Sequence, residues 1–121
     1  MRDEDPVAPA LTEDEREVLC RGLGEWGGPA RCTEPLAVAM GFRSVADLLE
    51  EGRVLRARLH AGEPLTPRDW RRTVLSVEIV FVSDVVGSGW DWSTTTGFSD
   101  EETIRLLRSV QRKIARALHS G

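Results

Sequence analysis

Thr73-Val74-Leu75-Ser76-Val77-Glu78-Ile79-Val80-Phe81-Val82 is the stretch whose reading decides the fold. It is rich in β-branched residues, which pack well on a pleated sheet. On a strand, Leu75, Val77, Ile79 and Phe81 line one face. On a helix, the stretch continues Thr66-Pro67-Arg68-Asp69, where a capping hydroxyl, a proline at the first helical position and an acid form a strong start signal. Trp70, Val74, Val77, Phe81 and Val85 then make one apolar face, and Leu75, Ile79, Val82 and Val86 a second. A lone strand needs a partner, and the chain has no second β-rich run. The reading adopted is a helix over about residues 67–86, apolar on two sides and so central. The alternative is an α+β fold with residues 73–86 as a strand.

The flanking sequence supports helices throughout. Thr12 and Glu15 make a capping-box pattern for a helix over residues 13–25, with Val18, Leu19, Leu23 and Trp26 on one side. Gly27-Gly28-Pro29 stops it. Thr33 caps a short helix through Met40, and Gly41 ends it. Ser44 and Asp47 start a third helix, about residues 44–61, with a stripe of Val45, Leu48, Leu49, Gly52, Leu55 and Leu59. Ser99 and Glu102 repeat the capping box for the last helix, whose stripe is Ile104, Leu107, Val110, Ile114 and Leu118. Acids fill its first turn and Arg112, Lys113 and Arg116 its last turns, which complements the helix dipole. The expectation is an all-α, compact five-helix single domain over residues 11–121, with the apolar fourth helix at its centre. A disordered tail, residues 1–10, precedes it.

Composition narrows the function classes. A 121-residue chain with 40% hydrophobic and 30% charged residues has the make-up of a soluble globular protein. A formal net charge of -4 argues against broad affinity for nucleic acid or anionic lipid, though a local basic patch remains compatible with it. Lys113 is the only lysine beside fifteen arginines, a bias that fits a GC-rich bacterial genome. The start Met1-Arg2-Asp3-Glu4-Asp5-Pro6 has no apolar signal segment, and Glu78 and Asp84 interrupt the longest apolar run. No membrane association and a cytoplasmic location are expected. Cys20 and Cys32 belong to no C-x-x-C pair and read as free thiols, as core or surface residues.

Few residues carry a chemical signal. Glu78 falls between the two apolar faces of the fourth helix, where a carboxylate must be neutralised, paired or hydrogen-bonded. Asp84 stands where the helix meets the next loop and reads as a brace for it. His60 and His119 share no metal-ligand spacing with the cysteines. Gly87-Ser88-Gly89 lacks the ending of a phosphate loop, and the hydroxyls from Ser93 to Thr96 lack a neighbouring histidine. No catalytic residue, metal ligand set or cofactor is expected. Residues 36–48 have the outline of a helix-turn-helix, but Val45, Ala46, Asp47, Glu50 and Glu51 occupy the positions that read bases, and Arg53, Arg56 and Arg58 come later. A nucleic-acid partner is not expected.

The remaining signal is the loop from Gly87 to Gly97. If it is extended, Trp90 and Trp92 point the same way and offer two indoles to a ligand, with Ser88, Asp91 and Thr94 beside them. Asp84 and Glu78 lie below. The competing reading folds both indoles back as a lid over one end of the bundle. The expected function is that of a small non-enzymatic protein-binding or regulatory protein, of the type of bacterial immunity proteins and antitoxins, using this loop. That comparison is one of type and rests on no shared motif. One alternative is a small-molecule-binding helical module with Glu78 and both tryptophans lining a pocket. Another is a DNA-associated regulator with a degenerate helix-turn-helix at residues 36–59. The expected partner is a protein, and a homo-oligomer is left open.

Overall fold

The structure, a computed structural model, describes residues 4–28 and 30–119. Six helices run through them: α1 (Glu13–Glu25), α2 (Glu34–Ala39), α3 (Val45–His60), α4 (Pro67–Val82), α5 (Trp92–Thr96) and α6 (Asp100–His119). The described residues contain no strand, only an isolated bridge between Val7 and Leu65. The decisive stretch is therefore helical and the fold is all-α, which overturns the strand alternative for residues 73–86. The start signal outweighs β-propensity here: the Thr66 hydroxyl accepts the Asp69 N–H at 3.1 Å.

The helix count and the end of α4 both differ from expectation. Residues 92–96, expected inside a connection, form the short α5. α4 stops at Val82 rather than near residue 86. The Ser83 hydroxyl accepts the N–H groups of Val85 and Val86 at 3.2 and 3.1 Å, a local bond that competes with continuing the helix. The chain then folds back on α4, with Ser88 N–H on Val80 O at 2.6 Å and Gly89 N–H on Ser83 O at 3.1 Å. A Cβ at residue 87 would lie 2.5 Å from Val80 O, so the return requires glycine there.

The centre of the bundle is α1 rather than α4. α1 packs against α3, α4, α5 and α6, and its Val18 and Leu19 are fully buried. α4 packs on α1, α3 and α6 through Thr73, Ser76, Val77 and Val80. The Val77 side chain sits so close against Gly22 of α1 that a Cβ there would meet Val77 Cγ1 at 2.6 Å. The second apolar side of α4 has no helix over it, and leaves Leu75 38% and Val82 73% exposed. Periodicity had marked that side as core.

Residues 1–3 of the expected tail lie outside the described residues. Val7, by contrast, is tied down. It exchanges backbone hydrogen bonds with Leu65 at 2.7 and 3.1 Å, and its carbonyl accepts the Trp70 indole N–H at 2.8 Å. The tail is thus docked at this point, where Trp70 needs a partner for a buried donor.

Glu15 is one of the charged groups buried in the bundle, 2% exposed. The capping box is formed as read, with Thr12 N–H on Glu15 Oε1 at 2.7 Å and Glu15 N–H on Thr12 Oγ1 at 3.1 Å. The same Oε1 accepts from Lys113 Nζ at 2.7 Å, so the single lysine of the chain ties α1 to α6. Burial raises the Glu15 pKa, but hydrogen bonds from Lys113, Ser109 and the Thr12 N–H overcome it and hold the carboxyl at about 2, below the ordinary 4.5. A depressed carboxylate stabilises the fold fully above pH 4.5, and that stability drains away as pH falls towards 2. Glu15→Gln is expected to cost about 3 kcal/mol at neutral pH, since the amide oxygen can still accept from Lys113 but no longer answers its charge. Denaturant titrations of both proteins from pH 7 to pH 2 check this. Their stabilities should converge in acid, and equal stability at neutral pH contradicts the assignment.

Candidate aromatic recognition site

The loop tryptophans are split. Trp92 is fully buried, and its indole N–H donates to Thr103 Oγ1 at 2.7 Å. The Thr103 hydroxyl in turn donates to Ser99 O at 2.8 Å. The Trp92 ring meets Phe81 edge-on, with centroids 5.2 Å apart and planes at 69°. That geometry is favourable for two aromatic quadrupoles. Trp90 is 85% exposed, and its N–H has no acceptor among the described residues. The expected pair facing one way does not form, because residues 90 and 91 turn and Trp92 opens α5 instead of extending a strand-like segment.

α5 is anchored from several sides. Thr96 Oγ1 donates to Trp92 O at 2.6 Å, and Asp91 O accepts Thr95 N–H at 3.0 Å. The Thr95 hydroxyl donates to the carboxylate of Glu25, buried at the end of α1. Upstream, Arg31 N–H donates to Val86 O at 2.9 Å and ties the return loop to the segment after α1. The loop that shows Trp90 to solvent is therefore held at both ends.

The other candidate residues separate in the same way. Asp84, Asp91 and Thr94 are exposed on the loop and α5. Ser88 is 2% exposed, and its hydroxyl finds no hydrogen-bond partner among the described residues, so it does not present a donor to solvent. Glu78 is not enclosed between apolar faces. It is half-buried at the seam of α4 and α6, where its carboxylate accepts from the Gln111 amide.

Residues assigned to the core by their periodicity are the ones missed. Val85 is 91% exposed in the loop before Trp90, and Ile104 is 58% exposed on α6. Phe81, Val82, Ile104 and Leu107 line a shallow cavity of about 220 Å³ at the loop end of the α4–α6 seam. Trp70, Val74, Leu75, Ile114 and Leu118 line a second, of about 340 Å³, at the other end. Glu78 and Gln111 border both.

The described residues hold no group of three or more His, Cys, Asp or Glu side chains placed to bind a metal. Burial and the nearby Glu17 push the Cys20 thiol up to about 11, and burial also raises Cys32, so neither is a ready thiolate. His60 and His119 are exposed at the ends of α3 and α6. In the region read as a possible helix-turn-helix, the Arg43 N–H and guanidinium bond Asp47 at 2.9 and 3.3 Å, and the Arg56 guanidinium lies against Gly24. No described helix is long and apolar enough to cross a membrane. No known family model, curated protein or solved structure matches the chain.

Truncation distinguishes the two tryptophans. Trp92→Ala is expected to destabilise the protein by about 3–5 kcal/mol, the usual cost of removing a fully buried aromatic. Trp90→Ala should stay within about 0.5 kcal/mol of the parent. Chemical denaturation of each variant checks the difference, and comparable losses contradict the split.

Proposed function

We propose that the protein is a non-enzymatic protein-recognition module that engages its partner through the surface around Trp90. The observation that carries this reading is an 85% exposed tryptophan on a loop whose neighbours are pinned by backbone hydrogen bonds. Tryptophan is enriched at the energetic centres of protein interfaces, and a loop fixed before binding loses little entropy on association. Val85 and Val82 add exposed apolar surface just upstream, with the polar Asp91 and Thr94 on the other side of Trp90. A hydrophobic anchor with polar flanks is the usual anatomy of such an interface. A small, acidic regulator or neutralising partner of the immunity-protein or antitoxin type fits the charge and size, and this part of the reading rests on type alone.

The small-molecule alternative is weaker. Trp92 is spent on the core and Glu78 on Gln111, so neither is left to line a pocket with Trp90. The DNA alternative is weaker too, because the start of α3 carries Asp47 rather than a base-reading donor.

Proteins encoded beside this gene, purified and titrated against it by calorimetry, test the reading. At least one should bind, and Trp90→Ala should weaken that binding by about 2 kcal/mol or more while leaving the melting temperature unchanged. Undiminished binding by Trp90→Ala overturns the proposal.

A further inference from the structure

We infer that the seam between α4 and α6 is a docking groove for an amphipathic helix of a partner protein, one that carries acidic residues along its flank. The inference rests on the protein-recognition reading above and names the class of partner. Trp70 lies across from Leu118, Glu78 bonds Gln111, and Val82 shares its cavity with Ile104, so the two helices run antiparallel. From Ile104 to Leu118 the groove is about 21 Å long at 1.5 Å per residue, enough for four turns of a docked helix. Its floor is Phe81, Leu107, Trp70 and Ile114, and its lips are the exposed Val82, Leu75 and Ile104. Apolar residues exposed along a seam between two helices are the arrangement that receives the apolar face of a third.

The rim decides which helix. Arg105, Arg108, Arg112 and Arg116 recur at spacings of three and four, which sets them in one row along α6. Arg108 and Ile104 belong both to this row and to the groove, so the row borders it. None of the four forms an ion pair with a carboxylate among the described residues, although acids outnumber bases in the chain as a whole. The carboxylate inside the groove, Glu78, is already engaged by Gln111. Arg108 donates only to the uncharged Gln111 amide oxygen, at 3.0 Å. A basic row without a carboxylate partner, beside an apolar groove, complements a helix with acids beside its apolar face.

The same row disfavours the other occupants. A two-fold pairing of two copies through this patch would bring two arginine rows into one interface and supply no acid for either. A lipid surface suits a protruding apolar face better than a concave seam with a carboxylate at its middle, and the net charge of -4 opposes an anionic bilayer.

Fluorescence polarisation with the full chain tests the inference. The probes are a labelled designed helical peptide of about four turns, with leucines on one face and glutamates on its flanks, and a twin with lysine at every glutamate. The glutamate peptide is expected to bind about tenfold tighter or better, and Arg108→Glu with Arg112→Glu should erase or invert that preference. Ile104→Asp should weaken binding about tenfold. All three residues are solvent-exposed or at the rim, and circular dichroism confirms that each variant is folded. Equal binding of the two peptides, or binding of neither, overturns the inference. So does recruitment to phosphatidylcholine–phosphatidylglycerol vesicles lost in the double variant, or a dimer by sedimentation that Ile104→Asp dissociates. If a gene-neighbour partner needs Trp90 but binds the groove variants normally, the groove assignment fails and the recognition reading stands.

Discussion

The indole of Trp92 and its hydrogen bond to Thr103 hold the arrangement on which the rest depends. A tryptophan is the largest apolar side chain, and burying it also commits its N–H to finding an acceptor. Thr103, in the first turn of α6, supplies that acceptor, and Phe81, in the last turn of α4, supplies an edge-on ring. One side chain thus joins the end of α4, the start of α5 and the start of α6. Trp90 sits two residues earlier, on the turn that delivers Trp92 inward, and the same event that buries one indole leaves the other outside.

A second tie completes the placement of α6. Glu15, at the first turn of α1, caps that helix and takes the ammonium of Lys113 in the second half of α6. Burial alone would raise the Glu15 pKa, and the bonds that overcome it also join the first turn of α1 to the second half of α6. With Trp92–Thr103 at one end and Glu15–Lys113 towards the other, the inward face of α6 is fixed along its length. What remains is the side of α6 that borders α4, with Ile104 at one end, and beside it the row of arginines. Beyond the Gln111–Glu78 bond across the seam, the fold leaves Ile104 and the arginines exposed.

Much of this was legible in the sequence because it is local. Thr12, Ser44, Thr66 and Ser99 each announce a helix through a hydroxyl that meets an N–H three residues on, and all four bonds are formed. What was not legible is long-range. Periodicity marks Val82 and Ile104 as members of apolar faces but does not say whether another helix covers them. Spacing by two made Trp90 and Trp92 neighbours only on the premise of an extended chain, and α5 removes that premise. Glu78 gave a clear signal that it needs a partner, yet Gln111, 33 residues on, carries no charge to advertise itself. The end of α4 turned on one serine hydroxyl within a run of valines.

Hydrogen exchange of the indole N–H protons tests most directly the division of labour between two tryptophans two residues apart. In a proton–nitrogen NMR spectrum, the Trp26, Trp70 and Trp92 indole protons should be protected, because each donates to a protein acceptor. The Trp90 proton, assigned by its loss in Trp90→Phe, should exchange at the rate of a free indole. A protected Trp90, or a Trp92 that exchanges as fast as Trp90, would contradict the account.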